Sequence, residues 1–435
     1  MNIPNPVCDN VFTLSLPKSD IIFTRYLYIK DEVEFALTLA ILNKQNNEAL
    51  FWAYELYYSG FYKLLFDRIW KIYYDFFASQ NPTFEAYLLT KQSEYYDKNK
   101  KDDKIVSMII QNLIIRDFNI DVFMITNICK LFEVECVYLH NIKPTSLDDI
   151  KIQFKYWIDK KEYRFICTFI LESHKNTDFV CYYSIMIDLF AEYALTKASK
   201  SKKIKDFIKS YNSFINPKII LISRLLNLFC EQNNILHQLS FNMSPEIKEI
   251  KEMNELEYLL STFSMQKVVK KKRNFYMLVE DHEIETYKTI KYNDCSSYRV
   301  LENVSTYSIQ NVEMLNLFQL NRLKYKNELT NMYHYKWIYH ASFSPIWYER
   351  IKQYYGFVDY LNMNVCFKND DCLEEFYNVY GYEPDEQTSE TQNKNVGQIN
   401  YDYDWFDFYG LYKNNGIIDI TDDELDELNA EPLLY

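Results

Sequence analysis

Gly60 is the only glycine in the first 355 residues of this 435-residue chain. The other five, Gly356, Gly381, Gly397, Gly410 and Gly416, lie in the last fifth. At an average usage of about 7%, a chain of this length would carry roughly thirty. The scarcity bears on chemistry, because loops that cradle phosphates need close backbone approach and dihedral angles that glycine alone adopts freely. Neither GxGxxG nor GxxxxGK followed by Ser or Thr can be written anywhere in this sequence. The GxSxG elbow and the kinase motif set are missing too. Dinucleotide-dependent redox enzymes, P-loop NTPases, kinases and α/β-hydrolases are therefore not expected.

What remains is a helix-built chain, and three glycines read as helix stops. Asp31 with Glu34 suggests a capping box opening a helix over Glu32–Asn43. A second helix from Glu48 places Ala49, Leu50, Ala53, Leu56 and Tyr57 on one face and stops at Gly60. A third carries Phe61, Leu65, Ile69, Ile72 and Phe76 inward, opposite a solvated row of Lys63, Asp67, Lys71 and Asp75. Asn216-Pro217 opens an almost wholly apolar core helix over Ile219–Cys230. Ser344-Pro345 opens another that Gly356 closes, and Asp371 with Glu374 starts one ending at Gly381. Strand candidates are Glu135–His140, Arg164–Leu171, Asn274–Glu280, Glu285–Tyr292 and Ser297–Glu302, with a hairpin turning at Asp281–Glu283.

The expected fold class is mainly α with an α+β portion: a multi-helical body, with a solenoid-like stack left open, plus an acidic C-terminal tail. The boundaries read as an N-terminal arm (1–30), a helical domain (31–118) and an α+β segment (119–200). A helical segment (201–273), a strand hairpin followed by helices (274–382) and an acidic aromatic tail (383–435) complete the chain.

Charge is distributed unevenly. Fourteen acidic residues and two lysines lie between Glu383 and Tyr435, giving −12 of the chain's net −13. The tail runs from a polar stretch into Tyr401-Asp402-Tyr403-Asp404-Trp405-Phe406-Asp407-Phe408-Tyr409, then Ile417–Ile420 and the short amphipathic Asp422–Leu428. Acids interleaved with aromatics resist collapse while presenting adhesive side chains, the composition of many disordered interaction segments. A solubilising tail is the simpler reading; a docking segment for a basic or grooved partner is the sharper one. Its candidate contacts are Trp405, Phe406, Phe408, Ile418, Ile420, Leu425 and Leu428. The spacing of the last four also resembles a nuclear-export-type signal.

Two lysine clusters support an alternative, nucleic-acid contact. One contains Lys200, Lys202, Lys203 and Lys205; the other contains Lys270, Lys271, Lys272 and Arg273. Such residues can track phosphates, although the body carries almost no net charge. The acidic tail could also cover these clusters until a partner displaces it.

Catalytic constellations are poorly formed. His334 and His340 lack a nearby carboxylate or cysteine to complete a metal site, and no cofactor is expected. Asp148-Asp149 and Asp370-Asp371 stand before apparent helix starts, where capping explains them. Nine cysteines are scattered with no CxxC. Cys230, inside an apolar run, reads as a reduced small hydrophobe. Asp121–His140, Phe165–Leu171 and Val180–Ser184 weakly resemble part of a papain-like or OTU-type domain. The expected histidine position holds Cys181 or Tyr182, so an inactive hydrolase relic is the third reading; Cys8 with His174 would be an arbitrary pairing. No signal peptide is visible and no uncharged apolar run reaches the length of a membrane span. A soluble protein of a reducing compartment is expected.

Aromatic residues make up 17% of the chain, with 40 tyrosines and 30 phenylalanines. An AT-rich coding sequence would produce this composition, so most of the rings are expected in the core. The stretches Ala49–Phe61 (ALFWAYELYYSGF) and Glu375–Glu386 (EFYNVYGYEPDE) resemble segments of uncharacterised proteins from large nucleocytoplasmic DNA viruses. The resemblance covers about a tenth of the chain and brings no catalytic residues. It implies a viral protein of the host cytoplasm, at the viral factory, or of the virion. The expected function is that of a non-enzymatic interaction or scaffold protein that binds a protein partner through its tail. Oligomeric state is left open.

Overall fold

Proline and left-handed glycine punctuate this chain where the sequence places them. Residue Gly60 takes φ +91° just past Ser59, the C-cap of the helix Asn46–Tyr58, and a Cβ there would lie 2.6 Å from Pro345. Pro345 occupies the first turn of Pro345–Gln353, and Pro217 opens Pro217–Gln232, where Asn216 Oδ1 accepts from the Lys218 N–H at 3.0 Å.

The computed structural model describes residues 19–97, 102–132, 136–173, 179–192, 200–211, 216–232, 268–271, 274–288, 296–304, 308–309, 312–398, 403–413, 416–431 and 433. The first helices are α1 (Lys30–Leu42), α2 (Asn46–Tyr58), α3 (Tyr62–Ile72), α4 (Phe84–Asp97), α5 (Lys104–Ile114) and α6 (Asp121–Leu131). They continue as α7 (Leu147–Asp159), α8 (Tyr163–Glu172), α9 (Phe179–Glu192), α10 (Lys200–Tyr211) and α11 (Pro217–Gln232). Strands β1 (Val268–Lys271) and β2 (Asn274–Met277) pair antiparallel, followed by α12 (Asp281–Lys288), α13 (Val300–Val304), α14 (Val312–Leu315) and α15 (Asn321–Lys324). Next come α16 (Leu329–Tyr335), α17 (Trp337–Ala341), α18 (Pro345–Gln353), and the antiparallel pair β3 (Gly356–Asp359) and β4 (Asn364–Phe367). The chain ends with α19 (Asp370–Tyr380), α20 (Ser389–Val396), α21 (Trp405–Tyr412) and α22 (Asp422–Ala430). The protein is mainly α, with a minor β part that comprises two antiparallel strand pairs among the described residues.

Helix α11 is a hub, in contact with α6, α8, α9, α10 and the π-helical turn Tyr73–Phe77 that continues α3. Its apolar side chains Leu221, Ile222, Leu225, Leu226 and Phe229 are buried, as its nearly uninterrupted apolar sequence requires. One helix touching so many others is not the nearest-neighbour stacking of a solenoid. A single cluster of buried apolar side chains runs from Ile21 to Leu433.

Several local expectations are corrected. The segment 119–200 has no strand among its described residues: Tyr163, Ile166, Cys167 and Ile170 are buried at helical spacing, so Arg164–Leu171 forms α8. Residues Leu139–Asn141 form a single 3₁₀ turn where Glu135–His140 was expected as a strand. Strand β2 pairs upstream with β1, while the expected partner Glu285–Tyr292 begins inside helix α12. Ser297–Glu302 is a 3₁₀ turn leading into α13.

Asp31 does not cap α1 but lies within it, its Oδ2 accepting the Asn321 N–H at 2.9 Å. Asn369, not Asp371, caps α19, accepting from the Cys372 N–H at 3.0 Å. The left-handed residue after α18 is Tyr355, at φ 57°, and Gly356 begins β3. The π turn shifts the helical period, so Asp75 leaves the solvated row and is buried, 3.9 Å from Lys71.

Candidate partner-binding site

The C-terminal segment is folded onto the body, and this reverses the expectation drawn from its composition. Trp405, Phe408, Ile418, Ile420, Leu425 and Leu428 are all buried, and Phe406 is half-buried. The physical reason is amphipathic spacing. Trp405, Phe408 and Tyr412 recur at three and four residues along α21, while Asp407 and Leu411 face outward. Asp404 caps this helix, accepting from the Asp407 N–H at 2.9 Å, with Asp407 reciprocating in a capping box. At α22, the Thr421 N–H and hydroxyl both donate to Glu424 Oε2 at 2.9 Å.

The buried rings meet partners from the far end of the chain. Phe318 lies 5.5 Å from Trp405 and 5.8 Å from Phe408, and Phe123 of α6 lies 5.9 Å from Phe408. Phe35 of α1 stacks on Phe318 at 4.5 Å, joining the cluster to the first helix. The Tyr412 hydroxyl donates to Asn43 Oδ1 at 2.6 Å. Such edge-on and tilted aromatic packing adds to simple area burial.

Asp121 at the start of α6 holds the connection between α21 and α22. Its Oδ2 accepts the Ile417 N–H at 3.0 Å and its Oδ1 the Ile418 N–H at 3.4 Å. A Cβ at Gly416 would stand 2.7 Å from Asp121 Oδ1, so glycine is what lets the carboxylate approach. Burial pushes the Asp121 carboxyl up to about 7; Asp419 adds to this and the two backbone donors oppose it. Arg164 of α8 pairs with Glu424 of α22. The Trp405 backbone N–H donates to Asn429 Oδ1 at 2.9 Å, joining the start of α21 to the end of α22. None of Asp121, Arg164 or Gly416 stood out in the sequence, because each acts through a contact hundreds of residues away.

With its apolar side inward, the helical pair α21–α22 turns its acids outward. Asp407, Asp419, Asp422, Asp423, Asp426 and Glu427 are exposed. Between the helices lies a cleft of about 590 Å³ lined by Phe406, Tyr409, Gly410, Lys413, Ile418, Asp419, Asp422 and Leu425. The Tyr409 hydroxyl fixes one wall, accepting the Ile420 N–H at 3.2 Å. A side chain added at Gly410 would meet nothing within 4 Å. This arrangement sets the carboxylates of Asp419 and Asp422 and the ammonium of Lys413 around a partly apolar cleft.

The lysine clusters are described only in part. On α10, Phe207 is buried, Lys202 and Lys205 are exposed, Lys203 is half-buried, and Lys200 pairs with Asp188 of α9 at 2.6 Å. Lys270 and Lys271 end strand β1, while Lys272 and Arg273 lie outside the described residues. Among the described residues, Glu424 of the tail pairs with Arg164, which belongs to neither cluster.

The other candidates are occupied structurally. His340 is buried, its Nδ1 2.9 Å from Ser19 Oγ and 3.2 Å from the Ile21 carbonyl, and burial pulls its pKa down to about 4. His334 Nε2 lies 2.9 Å from Gln392 Oε1. Among the described residues, no group of three or more His, Cys, Asp or Glu side chains could hold a metal ion. Burial raises the Cys129 thiol to about 11 and the Cys136 thiol to about 12, the opposite of nucleophile activation. Cys181 is exposed on α9; Cys8 and His174 lie outside the described residues. Asp149 completes a capping box with Ser146 at the start of α7, as the capping reading of Asp148-Asp149 implies. Among the described residues, no helix is long and apolar enough to cross a membrane.

No family model, no curated protein sequence and no solved structure matches this chain.

Proposed function

We propose that this chain is a binding protein with no catalytic chemistry of its own, which takes a basic protein segment on the acidic outer face of α21–α22. The observation that supports this reading is the cleft between the two helices, where the apolar Phe406 and Leu425 share the lining with Asp419, Asp422 and a single cation, Lys413. A segment alternating lysine with a large apolar residue matches it: the apolar side chain enters the cleft and the ammonium groups meet the carboxylates. The tail therefore serves binding through its outer face, with Trp405, Phe408 and Leu428 acting as internal anchors.

The test is fluorescence anisotropy with a labelled peptide alternating lysine and leucine, against the full chain. Saturable binding that weakens with salt is expected, because exposed charges are screened over about 10 Å at 0.1 M. The triple variant Asp419→Lys, Asp422→Lys, Asp423→Lys should lose it. Gly410→Phe, whose ring would enter the cleft, should weaken it without lowering stability. Equal binding by the triple variant, or equal binding of a peptide with glutamate in place of lysine, would sink the reading.

A further inference from the structure

The β3–β4 hairpin has one covered face and one bare one. On the covered face Val365 is buried and Phe367 packs against Phe376 of α19, with ring centroids 4.9 Å apart. On the bare face Tyr355 is 68% exposed and Phe357 60%, and at the tip Leu361 is 95% and Met363 45% exposed. Strand alternation sets Tyr355, Phe357 and Asp359 on this face together with Cys366 and Asn364, the cross-strand partners of Phe357 and Asp359. Lys368 joins them at the base, its ammonium 5.6 Å from the Tyr355 ring.

The hairpin is held firmly in this presentation. Asp359 Oδ1 accepts the N–H groups of Leu361 at 3.1 Å and Asn362 at 3.2 Å, and its Oδ2 accepts the Asn362 side-chain amide at 2.7 Å. Tyr355 and Met363, at either end of β3 and its turn, adopt left-handed backbone at φ 57° and 48°. Left-handed backbone at a non-glycine residue is disfavoured and concentrates where surroundings or function require it.

We propose that this face is the contact between two copies of the chain. Its charge pattern favours a second copy as the occupant. Asp359 lies at the tip end of the face and Lys368 at the base end, so the face is complementary to itself when one copy is reversed end for end. A two-fold axis across the strands does this. It brings the Asp359 of each copy toward the Tyr355–Lys368 base of the other and sets Phe357 of the two copies face to face. A two-fold axis along the strands would set tip over tip and bring like charges together. The charges therefore select the reversed arrangement, and an isologous contact of this kind closes as a dimer. In it the midpoint pair of the face, Phe357 and Cys366, lies nearest the axis, so the Cys366 thiols of the two copies come close together.

The full chain, at a series of concentrations, is examined by analytical ultracentrifugation. A monomer–dimer equilibrium is expected, weakened by Phe357→Ser and by Leu361→Ser. Loss of a central aromatic contact should raise the dimer dissociation constant about 30-fold. Both side chains face solvent, so thermal unfolding of the monomer should be unchanged. A short bis-maleimide should link two chains through Cys366, with linkage lost in Cys366→Ser and retained in Cys181→Ser. A chain that stays monomeric at every concentration overturns the proposal. So does a dimer indifferent to both serine variants, or crosslinking that survives Cys366→Ser.

Discussion

Asp121 Oδ2 accepts the backbone N–H of Ile417 at 3.0 Å, across 296 residues of sequence. The bond fixes the connection between the last two helices to the start of α6, and it gives stability a pH dependence. Burial raises the folded-state pKa of Asp121 to about 7, above its unfolded value, so folding favours the protonated form. Its contribution is fully present below about pH 4 and is lost as pH rises toward 7. Glu32, also pushed to about 7 by burial, acts in the same direction, and His340 in the opposite one. Comparison with Asp121→Asn isolates the one group. The variant's stability relative to the parent should rise by up to about 4 kcal/mol between pH 4 and 7 and then level off. Denaturant melts at a series of pH values measure this; a flat difference refutes it.

Two glycines of the same segment should respond with opposite sign. Gly416→Ala places a methyl group 2.7 Å from Asp121 Oδ1, and the resulting overpacking should destabilise by about 1–3 kcal/mol. Gly410→Ala meets open space inside α21 and should stabilise by about 0.5–1 kcal/mol through helix propensity. Urea midpoints read both.

Inner and outer residues of the tail should separate cleanly. Trp405→Ala removes a fully buried ring and should cost about 3–5 kcal/mol. Asp423→Lys and Glu427→Lys, on exposed positions, should change stability by no more than about 0.5 kcal/mol while weakening binding of the basic peptide. Thermal melts beside anisotropy titrations distinguish the two effects.

Arg322 joins α15 to two distant segments. It pairs with buried Glu32 of α1, and its Nη2 donates to the Asn395 carbonyl at 3.0 Å. Arg322→Ala leaves Glu32 buried without its cation and should cost about 3–5 kcal/mol. Adding Glu32→Leu should restore part of the loss, because the unpaired charge is then gone. Calorimetric unfolding of the single and double variants checks this.

Local signals carried the fold class and several helix boundaries. Gly60, Pro217 and Pro345 act through their own backbone geometry, which is visible in any sequence window. Composition misled where it overrode period. Arg164–Leu171 is rich in aromatic and branched residues, yet Tyr163, Ile166, Cys167 and Ile170 already carry helical spacing. The tail was misjudged in the same way: its acids suggested disorder, while Asp404 with Asp407 and the Trp405–Phe408–Tyr412 stripe spelled a capped amphipathic helix. What the sequence could not reveal is the Asp121–Ile417 bond and the Phe318–Trp405 contact. Both depend on topology, and neither has a local signature.

The C-terminal segment is part of the folded body. Amide hydrogen exchange of the full chain at neutral pH tests it most directly. The amides in the last turns of α21 and α22 should be protected to an extent comparable with those of α6, through which Asp121 and Phe123 hold the segment. Exchange of those amides at the rate of an unstructured peptide, beside a protected α6, would contradict it.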